Sequence, residues 1–109
     1  MAQSPWSQGD TLEPWEFELV PDSGPFNISG LTTSNFQYYM RNVSNNTETQ
    51  GSGTFNNLRA ASGGNPATIA YQQSVNDVST VGNFHQWIKV VSGGNTQTFD
   101  FGLLAIEPT

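Results

Sequence analysis

The chain has 109 residues, of which 35% are hydrophobic and 11% are charged, and its formal net charge is −6. This length fits one domain, and the absence of cysteine excludes disulfides, thiolate metal sites and a cysteine nucleophile. Lys and Arg together number only three. We therefore expect neither nucleic acid nor a membrane as partner, because both require several cations on one surface. The polar residues are mainly Asn, Gln, Ser, Thr and Gly, which favour short strands and turns over helices.

Residues 1–10 are mostly polar and predict a flexible N-terminal arm, followed by a β-sandwich domain over residues 11–109. Trp6 is unusual in such an arm, because an indole there either tucks against its own domain or inserts into a neighbouring molecule. The arm lacks the cationic and apolar regions of a signal peptide, and no apolar run reaches membrane-spanning length. We therefore expect the protein to bypass the secretory route.

Residues 11–20 alternate with a period of two, which predicts a half-buried strand. Its apolar side carries Trp15, Phe17 and Leu19, and its acidic side carries Glu16 and Glu18. Pro14 indicates either that the strand begins at this residue or that the strand lies at a sheet edge. Residues 21–25 are rich in turn formers, and Phe26 and Ile28 then predict a short strand that ends near Gly30.

The middle of the chain repeats this pattern. Residues 35–43 and 67–73 alternate around large apolar side chains, and each range predicts a core strand. Phe55 and Leu58 fit a short strand pair around the polar loop at residues 44–53. Residues 74–81 fit one helical turn, with Ser74 as its N-cap and Asp77 three residues later.

The C-terminal part predicts two strands, at residues 83–91 and 96–106, joined by a tight hairpin at residues 92–95. Both faces of the first strand carry apolar residues, so its pattern leaves open whether Trp87 or Ile88 points to the core. In the second strand, Phe99, Phe101 and Leu103 are predicted to share one face. With about seven short strands and regular turns, the chain predicts an all-β, immunoglobulin-like antiparallel β-sandwich, with a small barrel as the alternative.

The sequence contains no constellation typical of catalysis. His85 is the single histidine, and we interpret it as a surface or cross-strand packing residue, since no other strong metal ligand accompanies it. Glu16 and Glu18 fit a solvated strand face better than a pair of glycosidase carboxylates. The Gly-rich segments lack the Lys of a phosphate loop. We therefore expect no enzyme activity, no cofactor and no metal.

Two surface features leave alternatives open. Five of the nine acidic residues lie within the first 22 residues, where they form either a solubilising face or a docking site for a basic partner. Tyr39 and Trp87 lie on strand faces opposite the more apolar sets. They form either a sugar-binding platform or a second sheet face that is covered by the arm or by a neighbouring subunit.

The order of several segments adds a resemblance. An acidic early strand at residues 16–19 leads into the turn-rich residues 22–30. The later segments are residues 36–41, residues 67–71, residues 77–84, a Gly-Gly hairpin and a Phe-rich strand ending at Ile106. This order resembles the N-terminal domain of phage baseplate upper proteins, an immunoglobulin-like module. Two departures are that Phe84 stands where that family has a tyrosine and that the chain stops after the domain.

This resemblance implies a structural part of a phage virion, present in many copies as a baseplate, tail or capsid decoration protein. Its partners are then other virion proteins or further copies of itself, and its location is the virion, assembled in the host cytoplasm. We predict that it docks by protein–protein contacts through exposed strand edges and through four aromatic side chains, Trp6, Trp15, Tyr39 and Trp87. The alternative hypothesis is a carbohydrate-binding module that uses Tyr39 and Trp87.

Overall fold

The computed structural model describes residues 5–22 and 24–108, which form two β-sheets packed face to face. The strands are β1 (Trp6–Ser7), β2 (Trp15–Leu19), β3 (Phe36–Asn42), β4 (Glu48–Gln50), β5 (Thr54–Arg59), β6 (Ala67–Gln72), β7 (Gly82–Ser92) and β8 (Asn95–Glu107). Short 3-10 helices at Thr33–Asn35 and Val75–Val78 connect them. The predicted all-β, immunoglobulin-like sandwich is confirmed. Within the described ranges, neither helix has the length that a membrane crossing requires.

The larger sheet has the strand order β1-β8-β7-β3-β4, and the smaller sheet has the order β2-β6-β5. Neighbouring strands are antiparallel except for β1, which runs parallel to the end of β8. The hairpin between β7 and β8 has Gly93 and Gly94 at its tip, with φ of 57° and 80°. Positive φ at both central residues is the geometry of a two-residue type I′ turn, which glycine adopts without strain.

The period-two pattern of β2 is confirmed, since Trp15, Phe17 and Leu19 are fully buried while Glu16 and Glu18 are exposed. In β7, the inward side chain is Ile88, which is completely buried in the core between the sheets. The predicted helical turn is also present, with the Ser74 side chain accepting from the Asp77 N–H. Alternation therefore identifies the core side of β2 correctly, whereas in β7 the structure decides between Trp87 and Ile88.

Residues 6–10 are attached to the sandwich, although they were predicted to belong to a flexible arm. Trp6 and Ser7 pair with Ile106 and Glu107, and the Gly9 N–H donates to the Val78 carbonyl. Of the two possibilities for Trp6, the structure has its ring packed against its own domain. Residues 1–4 of the predicted arm lie outside the described residues.

Two details differ from the predicted strands. Phe26 and Ile28 form no strand; Asn27 accepts the Ser29 N–H with its side chain, which bends the backbone into a turn, and Pro25 has no N–H to donate. In β8 a bulge near Gly102 shifts the register against β7. Because one extra residue reverses the alternation, Leu103 is exposed and Leu104 is buried, contrary to the prediction for Leu103.

Two buried tyrosines, Tyr38 and Tyr71, stack at the centre of the core with ring centroids 4.5 Å apart. Burial raises the pKa of Tyr38 far above its ordinary value, and burial followed by the hydrogen bond to Asp77 does the same to the pKa of Tyr71. Because the pKa of both tyrosines is higher in the folded than in the unfolded state, their contribution to stability is fully present below the ordinary tyrosine pKa of about 10. This contribution is lost as the pH rises above that value.

We therefore expect two of the three tyrosines to ionise only when the domain unfolds. Absorbance at 295 nm and far-UV circular dichroism, recorded together from pH 8 to 13, check this. The expected result is that most of the absorbance change coincides with the loss of the circular dichroism signal. Reversible ionisation of all three tyrosines near pH 10 with an unchanged circular dichroism spectrum would contradict it.

Candidate docking surface

Two of the four aromatic side chains predicted to contact a partner pack at one end of the core. Trp15 is 0% exposed, so its indole has no surface to offer, which corrects the prediction that it contacts a partner. The alternation of β2 explains this, because it turns Trp15 to the inner face together with Phe17. Trp6 is half-buried and meets Trp15 edge to face, with ring centroids 5.4 Å apart.

The other two, Tyr39 and Trp87, lie together on the outer face of the large sheet. They are direct partners in the pairing of β3 with β7, and their rings stack with centroids 5.7 Å apart and planes 8° apart. His85 lies on the other side of Trp87, and Lys89 Nζ is 5.0 Å from the Tyr39 ring centre. Trp87 is only 8% exposed. Since a sugar platform requires accessible ring faces, this geometry favours packing on the sheet over glycan binding.

Next to this aromatic pair, His85 and Asp100 form a polar contact between β7 and β8. His85 Nε2 is 2.7 Å from Asp100 Oδ2, and the Gly102 N–H donates to Asp100 Oδ1. The Gly102 N–H, and after it His85, lower the pKa of Asp100, while slight burial acts in the opposite direction. The carboxylate therefore carries its charge at neutral pH, on the strand that forms one edge of the large sheet.

Over residues 5–22 and 24–108, much of the outer edge of β8 has no strand beside it. β1 pairs only with Ile106 and Glu107 at the end of β8. Among the described residues, no strand pairs with the outer side of residues 95–101. A strand edge of this kind presents backbone N–H and C=O groups on which another chain can form a further strand.

The hairpin geometry shows which backbone groups point outward. In a two-residue hairpin the flanking residues Ser92 and Asn95 form a hydrogen-bonded pair, and the pairs then alternate along the ladder. The N–H and C=O groups of Thr96, Thr98 and Asp100 consequently point away from β7. The Val91 carbonyl supports this alternation, because it points to the other side of β7 and accepts from the Asn35 side chain.

A groove of about 550 Å³ runs along this edge. Five consecutive residues of β8, 97–101, form one wall, so the groove follows the strand itself. The opposite wall consists of Glu18 at the end of β2 and the following residues 20–22. Phe101 spans the gap between the sheets, with its ring 4.5 Å from that of Phe17. We call this feature, lined by Glu18, residues 20–22 and residues 97–101, the edge groove.

The edge groove is acidic as well as open. Its described lining includes three carboxylates, Glu18, Asp22 and Asp100, and no Lys or Arg. The nearest cation along the ladder is Lys89, the partner of Thr98, and its ammonium group is held over the Tyr39 ring on the opposite side of β7. The negative charge of the edge groove is therefore not compensated by the groove's own lining.

Exposed strand edges are predicted from the sequence, but the edge groove is not. Its strongest signal was the polar run at residues 95–98, which is typical of a strand end exposed to solvent. The apolar run at residues 103–106 of the same strand obscures this signal, because such a run is typical of a covered strand. In the structure β8 has one end of each kind, since β1 covers its apolar end and not its polar end.

Comparisons with protein-family models, with curated proteins and with solved structures find no match to this chain. Within residues 5–22 and 24–108, no three His, Asp or Glu side chains come close enough together to hold a metal ion.

Proposed function

We propose that this protein is a structural component of a phage virion, where it acts as a docking or decoration module of the tail, baseplate or capsid through protein–protein contacts. The observation that carries the docking role is the outer edge of β8, which no strand in the described part of the chain pairs over residues 95–101 and which lies beside an open groove. An edge of seven residues presents three outward backbone donors and three outward acceptors, at Thr96, Thr98 and Asp100. Strand addition to such an edge is a recurrent mode of protein–protein recognition.

The virion setting is supported by the resemblance of the segment order to an immunoglobulin-like baseplate domain. A particle that carries many copies also suits a contact of this size. Each added strand contributes only a modest free energy, and the number of copies in an assembly multiplies the effect. The partners are then other virion proteins, and no cofactor is required.

Immunogold electron microscopy of intact particles tests this function. An antibody raised against the folded domain is applied to particles purified from the source, and a pre-immune serum provides the control. We expect gold label on the particles, at the head for a capsid decoration protein or at the tail for a baseplate protein. Absence of label on particles, while the same antibody detects the protein in a lysate of the source, would overturn the virion role.

A further inference from the structure

We propose that the edge groove binds an extended, basic segment of a partner chain, which pairs with β8 as an additional strand of the large sheet. This inference rests on the proposed docking function and deepens it, because it specifies the chemistry of the partner. Three observations support it: the direction of the β8 backbone groups, the shape of the groove and the sign of the groove's charge.

The direction of the β8 backbone N–H and C=O groups requires that the partner segment is extended. Thr96, Thr98 and Asp100 each direct an N–H and a C=O away from β7, so the outward groups recur at every second residue. Only a chain in β conformation repeats its own donors and acceptors at this spacing. A helix satisfies its backbone groups internally and could not pair with this edge.

The groove determines where the side chains of the added strand go. Successive side chains of a strand point to opposite faces, so one set would face the outer surface near Asp100. The other set would enter the groove, where Val20, Pro21 and Phe101 provide apolar surface and Glu18 and Asp22 provide carboxylates. Lys and Arg fit this surface because their aliphatic stems cover apolar groups while their charged ends reach acidic ones.

The charge argues against a second copy of this chain as the occupant. Each copy carries a formal net charge of −6, and two β8 edges brought together would also bring two acidic grooves together. Like charges across an interface oppose association. A basic segment instead gains from all three carboxylates, and the gain decreases as salt screens them.

Titration of the full chain with two synthetic peptides tests the inference. The probes are acetylated and amidated octapeptides that repeat either Lys-Thr or Glu-Thr, so that they differ in charge and share their strand-forming Thr positions. With 15N-labelled protein, we expect the Lys peptide to shift the amide signals of Thr96, Thr98 and Asp100 and to slow their hydrogen exchange. The Glu peptide should leave these signals unchanged.

Thr98→Pro removes one outward N–H without removing a hydrogen bond between β7 and β8. The preceding residue is already extended, so proline is compatible with this edge position. We expect the affinity for the Lys peptide to fall at least about tenfold, since a lost hydrogen bond and a bulky ring both act at the centre of the contact. Thr98→Val keeps the N–H and the β-branched shape, and it should bind like the unmodified chain.

A pair of charge variants keeps the test valid if Thr98→Pro does not fold. Glu18→Gln combined with Asp22→Asn should weaken Lys-peptide binding about threefold to fivefold per charge removed and reduce its salt dependence. The matched control, Glu13→Gln combined with Glu48→Gln, removes two exposed carboxylates outside the edge groove. It should leave the affinity nearly unchanged.

Several results would overturn the inference. These are equal binding of the two peptides, amide shifts centred on the Tyr39 and Trp87 face, and no binding at millimolar peptide. Concentration-dependent shifts of Thr96 and Thr98 without peptide would identify a second copy as the occupant and would equally overturn it. Immunogold label on particles together with failed peptide binding would refute only this inference. Peptide binding without any label on particles would refute only the virion role.

Discussion

Trp15→Ala is expected to lower the free energy of unfolding by about 3–5 kcal/mol, the usual cost of removing a large aromatic side chain from a core. The indole is 0% exposed and lies among four aromatic rings, those of Trp6, Phe17, Tyr38 and Tyr71, at centroid distances of 5.4 to 6.5 Å. Truncation would leave a cavity that these rings cannot fill, because each is held by its own strand. Since small domains have total stabilities of about 5–15 kcal/mol, this change removes a large part of the whole.

Urea unfolding followed by far-UV circular dichroism measures this effect, with the slope m compared between variants. Trp15→Phe is the matched control. It keeps an aromatic ring and loses an indole N–H that has no hydrogen-bond partner within the described part of the chain. We expect it to cost clearly less than the alanine variant. If Trp15→Ala unfolded at the same urea concentration as the unmodified protein, the assignment of Trp15 to the core would be wrong.

Asp77→Ala is expected to lower the free energy of unfolding by about 3 kcal/mol or more. Asp77 is buried and its carboxylate accepts three hydrogen bonds, from the Ser52 N–H, the Ser74 N–H and the Tyr71 hydroxyl, at 3.0, 2.9 and 2.7 Å. A hydrogen bond to a charged group contributes about 1.5–3 kcal/mol, and each donor left unpaired in a buried place adds a further cost. The carboxylate also holds the turn after β6 against the loop between β4 and β5.

The same unfolding experiment with two further variants separates the contributions. Asp77→Asn keeps the shape but replaces one oxygen with a donor, so we expect a smaller loss than with alanine. Tyr71→Phe removes the hydroxyl that donates to Asp77 and accepts from the Gly53 N–H, and its loss should overlap with that of Asp77→Ala. Additive losses in the double variant would show that the two side chains act independently, contrary to the network seen here.

Trp15 bears on docking because its ring packs against Phe17 on β2, the strand that borders the edge groove. Phe17 follows Trp15 on β2 by two residues, and its ring contacts Phe101 beside the edge groove. A variant that loosens this packing would therefore weaken peptide binding through the fold. Peptide affinities are best compared only among variants with unchanged unfolding curves, such as Thr98→Val and the control with Glu13 and Glu48 replaced.

The sequence determined the class of the fold and the inward side of most strands. A period of two between apolar and polar residues has one simple solution, a strand with one buried face, and it identified Phe17 and Ile69 as core residues, whereas it left the choice between Trp87 and Ile88 in β7 open. Turn chemistry predicted the Gly93-Gly94 hairpin for a similarly local reason. The capping pattern of Ser74 and Asp77 predicted the short helical turn, although not that Asp77 would also hold two other segments.

Only the tertiary structure decided which strands are neighbours and which edges stay open. A bulge near Gly102 exchanged the faces of Leu103 and Leu104, and one extra residue of this kind leaves little trace in a run that is apolar throughout. β1 covers the end of β8, and no other strand of the described residues pairs with the outer side of residues 95–101, which depends on the path of the chain between distant residues. The edge groove likewise joins residues 18–22 with residues 97–101. Local patterns report which face of a strand is buried, whereas an edge is created by packing between parts of the chain that are far apart in sequence.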